Sequence, residues 1–331
     1  MRASNSNGYR VGMKWLLSMV VAISCAAWGG QYDGYPERPV RVVVPYAPGG
    51  AIDISARLLG DSLSRNLGRQ FVVDNRPGAG GTIAYGLVAK SRADGYTLLA
   101  IGVDFTMTPS LYQNLPYDPL RSFSPVSLVS ESPFLLVVHP SSAVNSVNEL
   151  VELAKAKPGS LNFASGGQGS SLHVALELFK LLARVDIVHV PYKGGGPALS
   201  AAVAGQVHGM FANSVSALPH VRSGKLRAIA VTSGTRSEAF PELPTVSASG
   251  VPGYEIAAWH AWLAPAGTPS AIVARLSEAL AKAIRSADVS NRLEADAGKP
   301  LGSSPDELRR HLSNELAKFS KVIKAGGIRI E

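Results

Sequence analysis

Short apolar runs alternate with amphipathic stretches along most of this chain. Val40–Val44 is a β-branched run closed by Pro45, and the loop YAPGGAID (46–53) follows. Ile54, Leu58, Leu59, Leu63 and Leu67 then recur at helical spacing, and Gly68 ends that helix. Phe71–Val73 predicts a strand, NRPGAGG (75–81) a loop, 82–91 a helix and Tyr96–Ile101 a third strand. Together they form a βαβαβ unit, whose continuous apolar runs predict parallel strands buried on both faces.

A second set begins after Pro133. Phe134–Val138, Leu161–Ala164 and Ile187–Val190 read as strands, and Val147–Ala156, Leu172–Leu182 and Pro197–Ala204 as helices. The loops SGGQGSS (165–171) and PYKGGG (191–196) lie between them, and Val207–Phe211 and Ala228–Val231 predict further strands. The two sets share a pattern but not residues, which predicts two similar α/β lobes rather than a repeat. After a segment rich in Pro, Gly and Ser (241–253), Ile256–Leu263 reads as a strand and 269–286, 288–297 and 304–325 as helices. Helices alone cannot complete a sheet, so this last part is expected to pack back on the first lobe. The expected division is 36–135 with 258–331 as lobe 1 and 136–257 as lobe 2, with crossings near 135 and 257. Two lobes joined twice can close on a ligand by hinge bending.

The start of the chain reads as an address. Arg2, Arg10 and Lys14 precede Trp15–Trp28, an uncharged run of 14 residues, shorter than the ~20 a membrane helix needs. Ser24, Ala26 and Ala27 supply small residues for cleavage, so 1–27 is expected to be a secretory signal and the mature protein exported. Cys25, the single cysteine, falls inside that segment, where lipidation is the less favoured alternative because Ala22 stands where such sites prefer Leu. A mature chain without cysteine suits an oxidising compartment.

Composition then narrows the function classes. Apolar residues make up 46% and charged residues 17%, a globular balance. The formal charge of +8 falls to +5 once Arg2, Arg10 and Lys14 are removed, and the remaining Lys and Arg are scattered. That distribution argues against nucleic acid and leaves a mild field favouring acidic solutes.

The candidate chemistry sits in the glycine loops: Gly49-Gly50, Gly78 with Gly80-Gly81, Gly166-Gly167 with Gly169, and Gly194–Gly196. Glycine lets backbone N–H groups approach a ligand, and a helix N-terminus holds a carboxylate without needing an arginine. In α/β sheets such loops line the crevice at the carboxyl ends of the strands. Asp53 suits a helix cap, or acceptance from a ligand amino group. Ser170 and Ser171 face the same choice between capping and contact. Tyr46 and Tyr192 stand beside loops where they could wall a cleft. Gly80 and Thr82 on the second loop, and Asn213 after the Val207–Phe211 strand, complete the candidate set.

Enzyme signatures are missing. Gly169-Ser170-Ser171-Leu172-His173 ends in His where a nucleophile elbow needs Gly, and two positions apart on a helix Ser171 and His173 diverge. The seven histidines are never closer than 12 residues, and no dinucleotide or phosphate loop is complete. No cofactor, metal or catalytic role is expected. A secreted hydrolase would need a triad assembled from distant residues.

Longer strings resemble a known family. YPERPVRVVVPYAPGGAID (35–53), VVDNRPGAGGTIA (72–84), DGYTLL (94–99), LPYDP (115–119), DIVHVPYKGGGPAL (186–199), GKLRAIAVTS (224–233) and WLAPAGTP (262–269) are similar, in order, to the periplasmic receptors of tripartite tricarboxylate transporters, the Bug family. The resemblance implies a type II periplasmic-binding-protein fold with Venus-flytrap closure. It also implies no catalysis, a small carboxylate-type solute and delivery to a two-subunit membrane permease. Carried over, Pro48, Gly49, Gly50 and Asp53 would hold a ligand carboxylate from one side, and Ser165, Gly167, Ser170, Ser171 and His173 from the other. A monomer is expected. A sensor reporting to a membrane partner would share all of this. The chain departs from the family at Phe211-Ala212-Asn213, where an aspartate is usual at the middle position, and at His260 and Trp262, which are expected to narrow the cleft.

Overall fold

The structure, a computed structural model, describes Met1 and residues 34–295 and 297–329. Arg38–Glu331 form one compact unit and Met1–Glu37 a separate one. The expected export signal, with its cleavage site and Cys25, lies outside the described residues.

In chain order the larger unit begins with β1 (Val40–Val44), α1 (Ala51–Leu67), β2 (Phe71–Asn75), α2 (Thr82–Ala89), β3 (Thr97–Gly102), α3 (Asp104–Leu111) and β4 (Phe123–Val138). It continues with α4 (Val147–Ala156), β5 (Asn162–Ser165), α5 (Ser171–Ala183), β6 (Val188–Pro191), α6 (Gly195–Val203), β7 (Gly209–Asn213), α7 (Ser214–Arg222) and β8 (Arg227–Val231). It closes with β9 (Ala257–Pro265), α8 (Ser270–Ile284), α9 (Ala287–Ala295), the two-residue β10 (Lys299–Pro300) and α10 (Pro305–Ala325).

β1 lies between β2 and β3, parallel to both, as the βαβαβ pattern predicts. Burial on both faces holds for Leu98–Ile101 in β3 and for Val42–Val44 in β1, but not for β2. That strand is an edge, with one neighbour and Val72 52% exposed. β9 runs antiparallel between β3 and β4 and completes the first sheet. In the second sheet β5 is parallel to β6 and β7, and β4 runs antiparallel between β7 and β8.

One strand therefore serves both sheets. Phe123–Pro133 of β4 pairs with β9, and Phe134–Val138 pairs with β7 and β8. The pairing changes partner at Pro133–Phe134, and Ile256 N–H bonds to Thr232 O just before β9 begins. These are the two crossings of a two-lobed α/β fold.

The C-terminal helices pack as their stripes require. α8 lies on α1 and on β4, and α10 lies on α3 and β4 and reaches α5. Ser304 opens α10 with a capping box: its Oγ accepts the Glu307 N–H at 3.3 Å, and the Glu307 carboxylate accepts the Ser304 N–H at 2.8 Å. Leu308, Leu312, Phe319, Val322 and Ile323 form the buried stripe. Trp259 donates from Nε1 to Glu315 Oε2 at 3.1 Å, which anchors this helix to β9.

Candidate functional site

The glycine loops sit where strands end and helices begin. The first links β1 to α1. Gly49 has φ +87°, a backbone region natural to glycine, and Gly50 caps the helix without a side-chain bond. Asp53 is the third residue of α1 rather than its cap. Its side chain nonetheless reaches back and accepts the Gly49 N–H at 2.9 Å. It also accepts Arg57 Nε at 3.0 Å and Asn75 Nδ2 at 2.9 Å. Burial alone would raise this carboxyl's pKa, but the bonds from Arg57, Gly49 and Asn75 outweigh it and hold the group below its ordinary value. Asp53 is 2% exposed, so its bonds fix the loop, and Pro48, Gly49 and Gly50 stand exposed above it.

From here a chain of polar contacts crosses to the other lobe. Asn75 Nδ2 also donates to Tyr46 O at 2.9 Å. Tyr46 Oη donates to Asp104 Oδ2 at 3.0 Å, and Asp104 Oδ1 accepts the Ser171 N–H at 3.1 Å. Asp104 opens α3, on the same lobe as β3, and Ser171 opens α5 after β5. The lobes thus touch through a carboxylate seated on the N-terminus of α5, where the helix dipole favours an anion. Burial raises the Asp104 pKa, and the Tyr46 and Ser171 bonds oppose that rise. The Tyr46 phenol is pushed well up, first by burial and then by the charge of Asp104.

The second-lobe loops are tied to one another. Ser170 caps α5, accepting the His173 N–H at 3.3 Å and donating to Gly167 O at 2.8 Å. Ser165, fully buried, accepts the Gly167 N–H at 3.1 Å and lies 2.6 Å from His189 Nε2. His173, 3% exposed, accepts the Gly169 N–H at its Nδ1 (3.1 Å) and stacks on His189 with centroids 3.7 Å apart. Burial first, then the neighbouring His173, lowers the His189 pKa to about 4. Gly166 O accepts the Gly194 N–H at 3.0 Å, and Ser165 O the Tyr192 N–H at 3.0 Å, which ties the two loops together. Asn213 is exposed at the end of β7, and a Cβ on Gly195 would lie 3.7 Å from its Nδ2.

On the remaining loop a Cβ at Gly80 would lie 2.5 Å from Tyr112 Oη, and one at Gly81 2.5 Å from Tyr85 Oη. Only glycine fits there. Thr82 donates to Ala79 O at 2.9 Å. Tyr85 is fully buried and its Oη has no hydrogen-bond partner.

The candidates divide accordingly. Asp53, Ser165 and His173 are buried and bonded inward, so they support the loops from beneath. Pro48, Gly49, Gly50 and Gly80 are exposed, and Tyr46, Thr82, Gly167, Ser170, Ser171 and Tyr192 half-buried, all on loops at the strand ends. Ser165 and His189 are a serine–histidine pair, but a hydroxyl with no exposed surface cannot attack a solute. Two departures from the family pattern fall elsewhere than expected. Trp262 is 1% exposed in β9 and Ala212 1% exposed in β7, so both are core positions and Trp262 does not narrow the cleft. His260 is half-buried, its Nδ1 has no partner, and burial lowers its pKa to about 4. Asp104, His189 and Tyr85 were not foreseen. The signal for Asp104 was its place directly after a strand end, the same junction that placed the glycine loops.

Two cavities of about 600 and 590 Å³ lie away from these loops. One is lined by Leu218, Val221 and Phe240, the other by Glu131, Ser233, Glu255 and Lys299 at the crossings.

Two α/β lobes sharing a strand, with glycine-edged helix ends on the facing loops, define a solute-binding receptor. The chain belongs to the tripartite tricarboxylate transporter family receptors, whose family pattern matches residues 55–328. It is 37% identical over 301 residues to BugT of Bordetella pertussis, covering 90% of this chain and 92% of that one. Among solved structures it resembles Rhodopseudomonas palustris Rpa4515 with adipate: 38% identity, TM-score 0.80, 89% of this chain and 100% of that one. It also resembles MatC of the same organism with bound malate: 34% identity, TM-score 0.76, 87% and 100% coverage. The family is one of receptors rather than enzymes. Among the described residues no helix is long and apolar enough to cross a membrane, and no group of three or more His, Cys, Asp or Glu could hold a metal ion.

Proposed function

We propose that this protein is an exported, periplasmic receptor that captures a small organic acid between its lobes and delivers it to a two-subunit tripartite tricarboxylate-type permease. The observation that carries this reading is the Asp104 carboxylate on the Ser171 N–H. It supports the reading by analogy: a carboxylate from one lobe rests on a helix end of the other, and the neighbouring glycine loops offer the same kind of N–H donor to a solute acid. The adipate and malate held by two similar receptors support the same solute class. We place the lobe limits at 36–135 with 258–331, and 136–257, and take the receptor to be a monomer. The change of pairing along β4 supports that division. Pro48, Gly49, Gly50, Gly80, Thr82, Gly167, Ser170, Ser171, Tyr46, Tyr192 and Asn213 face the solute, and Asp53, Ser165 and His173 hold the loops that do.

The test is a melting series on protein unfolded and refolded to strip carried ligand, across dicarboxylates, tricarboxylates, aromatic acids, amino acids and neutral amides. A ligand at 100 times its Kd adds ~2.7 kcal/mol, a rise of roughly 5–10 °C for a chain of this size. A rise with one acid class, without consumption of the compound, supports capture. Turnover of the compound, or no rise with any acid, overturns it.

A further inference from the structure

We propose that Asp104 selects the solute: the captured molecule meets it with a hydrogen-bond donor, an ammonium, amide N–H or hydroxyl, and places its carboxylate elsewhere in the cleft. This rests on the receptor reading and names the chemistry of one end of the solute.

The facing loops offer mainly donors, namely glycine N–H groups and helix N-termini. Asp104 is an anionic acceptor among them. It stands at the contact between the lobes, with Tyr46 on one oxygen and the Ser171 N–H on the other. No cation is among the groups that perturb it. Arg57, the cation nearest along this polar chain, is committed to Asp53 and Asn75. A second carboxylate brought to the N-terminus of α5 must displace Asp104 or lie against it, and two like charges in a partly desolvated gap repel. A donor group meets the opposite situation. A carboxylate has about four acceptor positions, and those on Asp104 that the Tyr46 hydroxyl and the Ser171 N–H and hydroxyl use leave room for a further donor.

An independent observation points to the same place. Tyr85 is fully buried, and its Oη stands 2.5 Å from where a Cβ on Gly81 would be; it makes no well-formed hydrogen bond, its polar neighbour being the Tyr46 hydroxyl, which itself donates to Asp104. Burial raises the Tyr85 pKa, the Tyr46 hydroxyl opposes that rise, and the charge of Asp104 adds to it. A buried hydroxyl whose one polar neighbour is already committed to a carboxylate can gain a bond from a polar ligand atom.

Chain-matched ligands provide the test, by calorimetry on refolded protein. Adipate is compared with 6-aminohexanoate, adipic acid monoamide and 6-hydroxyhexanoate, and succinate with 4-aminobutanoate and succinamate. At least one donor-ended compound is expected to bind about ten-fold or more tighter than the diacid of its length, the scale of a hydrogen bond to a charged group. Asp104→Asn should tighten the diacid and weaken the ammonium compound, each by about ten-fold, reversing the order. Asp104→Ser gives a second uncharged variant should the first fold poorly. A diacid that binds as tightly as its partners, or an order unmoved by either variant, overturns this proposal and leaves capture of organic acids standing. Binding by none of the seven compounds overturns this proposal, and the wider melting series then decides whether the receptor reading falls with it.

Discussion

Removing the Asp53 carboxylate should unfasten the first loop at a measurable cost. Asp53→Ala strands three donors: the Gly49 N–H, Asn75 Nδ2 and the Arg57 guanidinium. A hydrogen bond to a charged group contributes about 1.5–3 kcal/mol net when its donor cannot rehydrate. Here the Arg57 side chain is 49% exposed and Gly49 is exposed, so water replaces much of what those two lose. Asn75, half-buried, loses more. The expected destabilisation is therefore about 2–3 kcal/mol, a fall in Tm of roughly 4–12 °C. Urea unfolding followed by fluorescence of the buried Trp259 and Trp262 measures it. The difference should also depend on pH. The folded carboxyl titrates below its unfolded value, so its contribution is fully present above the unfolded pKa of ~3.9 and is lost as pH falls through the lower folded one. Wild type and variant should converge between about pH 4 and the onset of acid unfolding. A loss under ~0.5 kcal/mol, the ordinary surface range, or a gap that stays constant down to acid unfolding, would refute the reasoning.

His189 should stay neutral at pH 5.5 and titrate near 4 by NMR. Because its unfolded form takes up protons from ~6.5 downward, stability should fall as pH drops from about 6.5 to 4, and His189→Gln should flatten that slope. Gly209→Ala places a Cβ 2.6 Å from the backbone Val137 O and 2.9 Å from Phe163 Cζ, so it should destabilise by about 1–3 kcal/mol or more, read as a lower urea midpoint. Ser304→Ala removes the capping box of α10 and should cost about 1 kcal/mol without altering ligand affinity; an unchanged midpoint would count against the cap's role.

Regular elements were legible where apolar spacing was strong. The predicted helix at 304–325 is α10 (Pro305–Ala325), and the β1–β3 crossovers follow the pattern of the residues. α3 and α7 were not foreseen. DFTMTPSL and SVSALPHVR each contain a proline and lack an apolar stripe, so tertiary packing rather than periodicity makes them helical. β4 was read only from Phe134 onward, because the serines and prolines of Phe123–Pro133 conceal a strand held by pairing with β9. At the site, glycine spacing located the loops but not what joins them. Asp104 and Ser171 are 67 positions apart, and His173 and His189 are 16 apart on different elements. Such contacts are products of topology, and no local pattern announces them.

The shared strand also fixes how this protein could be cut. The inner segment is continuous in the chain and looks excisable as 136–257. Its sheet, however, has β4 at the centre, with β7 on one side and β8 on the other from Phe134 onward. A fragment begun at residue 136 would lose Phe134 and Leu135 from that central strand, along with the bonds from the Phe134 backbone to Thr232. Beginning before Phe134 would repair this sheet but carry Pro133 and its neighbours, torn from β9, as a new unpaired edge. Transplanting one half between relatives should therefore succeed only when the whole of β4 comes from a single parent.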